Sequence, residues 1–235
     1  MRMFDLSQWG NFALGDLTII DLIAATTNAF NAALLARSPS HWRQYTAVGL
    51  LLLAVVGGIA GGVSRDVLLA SVPVALTNPW YLLLCLLAAL GAQRIRYRTG
   101  QQLRAGRVQV MAAFALPWYA VVGADKALAA HVPFIAAVLI GVISATAGRY
   151  VLDVTAGVTP QHFVRGEWFV GTAVLASTLY VVGAVGLGLS VWPATLVAVG
   201  IAFAFRLVAL RRGWEEPEPW QPAEGRTSDA ARSPS

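Results

Sequence analysis

Residues 57–73 read GGIAGGVSRDVLLASVP, and this stretch decides the fold class. Four glycines lie within its apolar part: Gly57, Gly58, Gly61 and Gly62. Each glycine in a helix interior costs about 1 kcal/mol relative to alanine, so four of them need a compensating role. Overlapping GxxxG pairs are typical of membrane helices that pack closely. The alternative is a helix that bends or breaks within the membrane and exposes carbonyl groups to a water-filled path.

The composition around this stretch excludes a water-soluble fold. Hydrophobic residues make up 57% of the chain and charged residues only 12%, about half of the charged fraction of an average soluble domain. The charges are clustered, so apolar stretches recur at lengths close to the roughly 20 residues that cross a bilayer as a helix. The sequence therefore predicts an all-α polytopic membrane protein with seven transmembrane helices, at about 17–37, 45–64, 79–95, 107–124, 133–150, 168–189 and 191–210.

Basic residues fall very unequally on the two sides of these spans. One side receives three, Arg2, Arg65 and Lys126. The other receives twelve before the tail is counted: Arg37, Arg43, Arg94, Arg96, Arg98, Arg104, Arg107, Arg149, Arg165, Arg206, Arg211 and Arg212. Because cytoplasmic loops are enriched in Lys and Arg, we expect a bacterial inner-membrane protein with its N-terminus outside and its C-terminus in the cytoplasm. Orientation thus accounts for the net charge of +5, and nucleic acid is not an expected partner.

A weak internal repeat relates residues 57–73 to SATAGRYVLDVTAGVTP at 144–160, where Gly61 matches Gly148 and Asp66 matches Asp153. Each unit holds three predicted spans, so the second must enter the membrane upside down relative to the first. The predicted organisation is an N-terminal segment outside at 1–16, a three-helix repeat at 17–98, an inverted repeat at 99–189, a seventh transmembrane helix at 190–212 and a disordered cytoplasmic tail at 213–235.

Ionisable residues beside or within apolar spans are costly and should face protein or water. Six stand out: Asp21, Arg65, Asp66, Lys126, Arg149 and Asp153. Arg149 and Asp153 are four positions apart and can pair on one helix face, whereas Arg65 and Asp66 are adjacent and should point in different directions. Arg65 should therefore find its partner on another helix. The alternative is that these residues lie at headgroup depth and anchor the helices, which we favour for Asp21.

We predict that five of these residues line or gate one water-filled path through the subunit: Arg65, Asp66, Lys126, Arg149 and Asp153. The basic side chains oppose cation passage unless they are neutralised or move aside, because the Coulomb term grows in a low dielectric. Flexibility for that movement is assigned to the helix-kink glycines, Gly57, Gly58, Gly61, Gly62 and Gly148. Carbonyl groups exposed at the bends are then the expected cation ligands.

Nothing else in the sequence indicates an enzyme. His41, His131 and His162 lack the spacing of a metal site or a general base, and Cys85 is the single cysteine. A phosphate-binding glycine loop and a serine nucleophile elbow are both absent from the sequence. We therefore expect no catalytic residues, no metal site and no cofactor.

Three segments resemble the bacterial branch of the trimeric intracellular cation channel family, which is also described as a family of glycine transporters. The first is the pattern GGxxGGxxRDxLLxxxP at 57–73; the others are DLIAATTNAFNAAL at 21–34 and GADKAL at 123–128. The resemblance implies a homotrimer in membrane lipid. Each subunit would have seven spans and its own pore between two inverted repeats, permeable to potassium and sodium, with glycine kinks in the second and fifth helices.

The second repeat departs from the family pattern, since Arg149 stands three positions earlier than the family arginine. Asn31 replaces a common serine, and the fourth span lacks the aspartate usual near its start. The leading functional prediction is a monovalent, potassium-permeable cation channel. The alternative is a secondary transporter of glycine or another small solute, because inverted repeats and broken helices suit both classes.

Overall fold

The computed structural model describes residues 18–37, 45–96, 99, 109–160, 162, 166 and 168–216. This part of the chain contains eight α-helices: α1 (Thr18–Ala36), α2 (Ala47–Leu68), α3 (Val74–Thr77), α4 (Pro79–Arg94), α5 (Gln109–Ala129), α6 (Phe134–Thr155), α7 (Val170–Val181) and α8 (Val191–Arg212). The α7 helix continues into a π-helical turn, Val182–Gly186. The all-α prediction is confirmed.

Local sequence explains where several helices begin and end. The Thr46 side chain accepts a hydrogen bond from the amide of Gly49 at 3.0 Å and caps the start of α2. Asn78 does the same for Trp80 at 3.0 Å, and Pro79 at the first position of α4 needs no amide partner. The α8 helix ends at Gly213, which has a φ of 62°. Glycine adopts that left-handed conformation at little cost, so it terminates the helix.

Four helices are long and apolar enough to cross a bilayer: Ile19–Ala36, Ala47–Leu68, Phe134–Thr155 and Val191–Arg212. Val170–Gly186 is apolar but shorter, α4 has 16 residues, and α5 has 21 residues with Pro117 inside it. Large apolar side chains such as Leu52 and Ile135 are exposed on these helices, as expected where the solvent is lipid. The chain is therefore a multi-pass membrane protein.

Contacts between helix ends define two opposite ends of the bundle. Arg37 directly follows α1. Its guanidinium donates to the carbonyl oxygen of Ala92, in the last turn of α4, at 2.7 Å and to that of Ile95, just after α4, at 2.9 Å. The start of α2 lies at this same end, since Gln93 Nε2 is 3.4 Å from the Ala47 oxygen. The other end holds the start of α1 and the end of α2, and we call it the Arg65 end. Successive long helices thus run in alternating directions.

The α2 and α6 helices cross so closely that glycine is required at the contact. A Cβ added to Gly148 would lie 2.9 Å from the Gly57 oxygen, and one added to Gly61 would collide with the Ser144 oxygen. On the α1 side, a Cβ at Gly58 would lie 2.8 Å from the Ala25 oxygen. Helical hydrogen bonding continues without a break from Ala47 to Leu68. Close packing therefore compensates for these glycines, and their role as hinges stays a prediction.

The ends of α2 and α6 have the same backbone hydrogen bonds. Ser71 N donates to the Asp66 oxygen at 2.9 Å, and Val158 N donates to the Asp153 oxygen at 3.0 Å. The residue before each donor is left-handed, with a φ of 52° at Ala70 and 68° at Gly157. Both ends are Schellman motifs. Asp66 and Asp153 are as far apart in the sequence as Gly61 and Gly148, the matched glycines of the internal repeat.

A second contact recurs in the two halves of the chain. Cys85 Sγ on α4 lies 3.6 Å from the Ala25 oxygen on α1, beside Gly58 of α2. Ser177 Oγ on α7 lies 3.4 Å from the Ala120 oxygen on α5, and Gly141 of α6 packs against both groups. In each half, a small polar side chain of the third long helix thus approaches a carbonyl of the first helix beside a glycine of the second.

Three helices extend four or five residues beyond the predicted spans. We predicted ends near 64, 124 and 150, whereas α2, α5 and α6 end at Leu68, Ala129 and Thr155. Arg65, Lys126 and Asp153 are consequently helical. Each of these charges is paired: Arg65 and Lys126 contact Asp66, and Asp153 contacts Arg149. The helices therefore do not have to end before these residues. The predicted segment 1–16 and residues 217–235 of the predicted tail lie outside the described residues.

Candidate functional site

The Arg65 guanidinium is the centre of a buried ionic cluster at one end of the bundle. Its side chain is 1% exposed. Nη2 lies 3.1 Å from Asp21 Oδ2, and Nε lies 2.8 Å from Asp66 Oδ1. We predicted a partner on another helix, and Asp21 on α1 is that partner. The expectation that the adjacent Arg65 and Asp66 side chains point apart is wrong, because the long arginine side chain folds back toward its neighbour.

Asp66 also fixes the chain that follows α2. Its Oδ2 accepts a hydrogen bond from the amide of Val74, the first residue of α3, at 2.9 Å. Its carbonyl oxygen accepts from Ser71 Oγ at 3.0 Å, in addition to the Schellman bond. Amide donors stabilise a carboxylate in its charged form and fix its direction. Asp66 therefore holds Arg65 while it anchors the α2–α3 turn.

Asp21 was favoured as a headgroup anchor, and the structure instead buries it within the cluster. The residue is 3% exposed in the first turn of α1. Besides the Arg65 contact, its Oδ2 accepts a hydrogen bond from the Tyr81 hydroxyl of α4 at 3.2 Å. The sequence could have indicated this burial, because an ionisable residue in an apolar span usually faces the protein interior and pairs with another charge. The Tyr81 contribution has no comparable signal in the sequence.

Lys126 completes the cluster from α5. Its Nζ lies 3.7 Å from Asp66 Oδ1 and 4.0 Å from Asp21 Oδ2, and its side chain is 33% exposed. We define the Arg65 cluster as Asp21, Arg65, Asp66 and Lys126. It contains two basic and two acidic side chains and is balanced in charge. The positive charge that we predicted to oppose cations at this end is therefore already compensated.

A small cavity lies beside the Arg65 cluster. It is lined by polar side chains of Asp21, Arg65, Asp66, Tyr81 and Tyr119 and by residues of α1 to α3, including Gly58 and Gly62. Measured as the space open to the centre of a water molecule, its volume is about 10 Å³. That is about the room required by a single water molecule. We call this cavity the Arg65 chamber.

Two of the polar atoms in these lining residues lack a hydrogen-bond partner within the described part of the chain. They are Arg65 Nη1 and the Tyr119 hydroxyl. Tyr119 is 4% exposed, so bulk water does not satisfy it. Buried polar groups without a partner are rare, and each implies an ordered water, an ion or a functional role. The chamber is therefore a place where a small polar species can bind.

Arg149 and Asp153 form the pair that their spacing predicted, with Nε 2.7 Å from Oδ1. Asp153 is fully buried, whereas the Arg149 side chain is 21% exposed. The pair lies at the opposite end from Arg65. Since Gly61 faces Ser144 and Gly57 faces Gly148 across antiparallel helices, Asp153 lies about 20 Å from the level of Arg65 at 1.5 Å per residue.

The structure thus distributes the five predicted site residues over two places. Arg65, Asp66 and Lys126 belong to one cluster, and Arg149 and Asp153 form the other. His162 lies near the second pair, where its ring contacts Phe169 at 5.1 Å, and burial lowers the pKa of His162. Among the described residues, no group of three or more His, Cys, Asp or Glu side chains is arranged to hold a metal ion.

A sequence profile described as the glycine transporter family matches residues 18–95 and 109–185, more than half of the chain. One curated relative is the UPF0126 membrane protein of Vibrio cholerae serotype O1. It is 27% identical over 195 residues, and the match covers 83% of this chain and 79% of the relative. Both matches agree with a multi-pass membrane protein.

Solved structures give the same fold. A structure solved to explain conductance through TRIC cation channels aligns with a TM-score of 0.77 and 24% identity, covering 88% of this chain and 98% of the other. The trimeric intracellular cation channel orthologue from Rhodobacter sphaeroides aligns with a TM-score of 0.71 and 26% identity, covering 83% and 97%. A prokaryotic TRIC channel in 0.5 M KCl aligns with a TM-score of 0.70 and 21% identity, covering 83% and 96%.

The resemblance drawn from residues 57–73 is confirmed by these matches, which extend over most of the described helices. The chain belongs to the glycine transporter family and has the helical fold of the prokaryotic TRIC channels.

Proposed function

We propose that this protein is a monovalent cation channel, permeable to potassium and sodium, with one pore in each subunit. The observation that carries the proposal is the Arg65 cluster, in which ionisable side chains from α1, α2 and α5 meet beside a polar chamber in an apolar helical bundle. Such groups are costly in a membrane protein and mark ion pathways. The likeness to TRIC cation channel structures supports the same function.

We further propose that the pore runs between two inverted three-helix repeats, formed by α1, α2 and α4 and by α5, α6 and α7, with α8 as a seventh span. The contact of Cys85 with the Ala25 oxygen in one half and that of Ser177 with the Ala120 oxygen in the other support this division. The family profile also matches two stretches of nearly equal length, one in each half. Three crossings in each repeat would invert the second one.

In this proposal the pore is closed in the present conformation. The Gly61–Ser144 contact joins the backbones of α2 and α6 between the two charged clusters. A Cβ at Gly123 on α5 would lie 2.6 Å from the Ser144 Cβ. A third helix therefore packs closely against Ser144. Opening would separate these helices at their glycines, and Arg65 and Lys126 would move aside as gate residues.

The alternative function is secondary transport of glycine, which the description of the family suggests. One observation favours it: the Arg65 cluster presents a guanidinium and carboxylates side by side, as a zwitterion would require. Against it, the Arg65 chamber has room for about one water molecule and would have to enlarge to admit an amino acid. A bare monovalent cation needs no such enlargement.

The two functions can be separated in one preparation of proteoliposomes. We expect potassium influx down its gradient, without uptake of labelled glycine above that of empty vesicles. A matched preparation of Gly61→Leu, reconstituted at the same protein-to-lipid ratio, should lose the flux, because leucine stiffens α2 at the glycine where it is proposed to bend. Saturable glycine uptake without potassium flux would replace the channel by the transporter.

We also propose that the chain forms a homotrimer in the lipid of the bacterial inner membrane. The name of the Rhodobacter sphaeroides orthologue describes a trimeric channel, and that orthologue aligns over 83% of this chain. Native mass measurement in mild detergent tests the assembly, and we expect three copies. A monomer in several detergents that still conducts after reconstitution would contradict the proposed trimer.

A further inference from the structure

Two carboxylate oxygen atoms hold the Arg65 guanidinium, and such oxygen atoms can also hold a metal cation. Asp21 and Asp66 contact it from two sides, at 3.1 and 2.8 Å, and the Tyr81 hydroxyl positions the first of these carboxylates. The two carboxylates come from α1 and α2, and the hydroxyl that positions Asp21 comes from α4. Carboxylate and hydroxyl oxygens are hard ligands that suit alkali and alkaline-earth cations.

Tyr119 adds an oxygen that has no partner in this arrangement. Its hydroxyl belongs to α5, is almost fully buried and is without a hydrogen bond among the described residues, and its residue lines the Arg65 chamber. The chamber also has room for one species of about the size of a water molecule. A buried hydroxyl without a partner, on a residue that lines a space of this size, can serve as a further ligand.

The charges determine how many cations this oxygen cage can accept. Two carboxylates, Asp21 and Asp66, are balanced by Arg65 and Lys126. Without the guanidinium, Lys126 neutralises one carboxylate and a single negative charge remains. Gly62 leaves free space beside Arg65, since even a Cβ there would be 3.5 Å from Nη2. The cage then matches one monovalent cation.

We propose that Arg65 is a tethered cation, whose guanidinium occupies a monovalent metal-cation site built from Asp21, Asp66 and Tyr119. Permeant cations compete with it for the same oxygen atoms. The site exists whether or not the protein conducts, but its role as the place where permeant ions displace Arg65 rests on the proposed channel function. The binding measurement below is therefore independent of current.

The test uses the full-length Arg65→Gln variant in mild detergent. Its Tm is measured while KCl replaces N-methylglucamine chloride at constant ionic strength. Ligand that binds only the folded state raises Tm with its concentration, so we expect the Tm of Arg65→Gln to rise with KCl and the wild-type Tm to stay level. Adding Asp21→Asn or Tyr119→Phe to Arg65→Gln should remove or weaken the rise. A Tm of Arg65→Gln that depends on KCl no more than that of the wild type overturns the proposal.

Lys126→Gln provides a second variant if Arg65→Gln does not fold in any salt. Lys126 is one-third exposed, so its replacement should be tolerated, and it also leaves one negative charge in the cluster. Because one carboxylate charge is then uncompensated, potassium should compete better with Arg65 for the shared oxygen atoms, and we expect it to raise the Tm relative to N-methylglucamine. An equal Tm in both salts overturns the proposal. Potassium binding by these variants without any current in bilayers would retain the site and refute the channel. Current in bilayers without potassium-dependent stabilisation of either variant would retain the channel and refute the site.

Discussion

Asp21 Oδ2, in the first turn of α1, lies 3.1 Å from Arg65 Nη2, one turn before the end of α2. Both side chains are buried, so the pair joins two helices where water cannot replace either partner. Removing one member of a buried pair leaves the other charged and unsatisfied, which is far more costly than losing the attraction alone. Asp21 and Arg65 also line the Arg65 chamber. The same two side chains therefore stabilise this end of the bundle and determine the charge at the chamber wall.

Asp21→Asn should destabilise the folded protein by about 3 kcal/mol, since Arg65 keeps Asp66 but loses its partner on α1. Unfolding in detergent by heat or by a denaturing surfactant measures the loss. Arg211→Gln, on the exposed end of α8, is the control and should change little. If Asp21→Asn is as stable as the control, the contact between Asp21 and Arg65 contributes nothing to the fold.

Gly61→Ala should reduce stability, because the new methyl group would collide with the backbone oxygen of Ser144. Gly61→Leu should suppress current, since leucine stiffens α2 at the proposed bend. Gly200→Ala in α8 is a matched control, because a Cβ there meets open space. Alanine at that position is expected to be neutral or slightly stabilising. Equal effects of Gly61→Ala and Gly200→Ala would show that the α2–α6 contact is unimportant.

Lys126→Ala should raise open probability or conductance, since it removes a partly exposed positive charge from the proposed path. Arg65→Ala should act in the same direction but with a loss of stability, because Arg65 is buried between two carboxylates. Single-channel recording in symmetric KCl measures both. Arg212→Ala, at the far end of α8, is the control. Currents unchanged by Lys126→Ala, Arg65→Ala and Gly61→Leu would remove this segment from the pore.

The predicted topology can be checked with reporter fusions. Because twelve basic residues outweigh three, a cytoplasm-active reporter should work after Gly213, and a periplasm-active reporter should work at the N-terminus. The α1, α2 and α4 helices alternate in direction, as three successive crossings require. The reverse pattern of reporter activity would contradict the inverted-repeat arrangement.

Much of the fold was accessible from the sequence because lipid imposes a simple rule. Apolar stretches of helical length identified the bundle, and close packing was one of the two roles considered for the glycines of residues 57–73. The helix ends were less predictable, since we ended the spans near charged residues such as Lys126. Those side chains contact other charges, so α5 continues to Ala129.

The site was only partly predictable, for a related reason. Sequence spacing found the Arg149–Asp153 pair, because both residues lie on one helix face. It did not find Tyr81 and Tyr119, which line the Arg65 chamber from α4 and α5. Contacts between distant segments depend on how the helices cross, and local periodicity carries no information about that. Asp21 was identified as an ionisable residue in an apolar span, but its pairing with Arg65 was not predicted.

The most direct test of channel function is the reversal potential of purified wild-type protein in a planar bilayer under a tenfold KCl gradient. For a pore that passes potassium and excludes chloride, we expect a reversal potential close to the potassium equilibrium value, about 59 mV in magnitude for one charge per ion. A reversal potential of the opposite sign, or no current while the same protein accumulates glycine in vesicles, would contradict the cation channel.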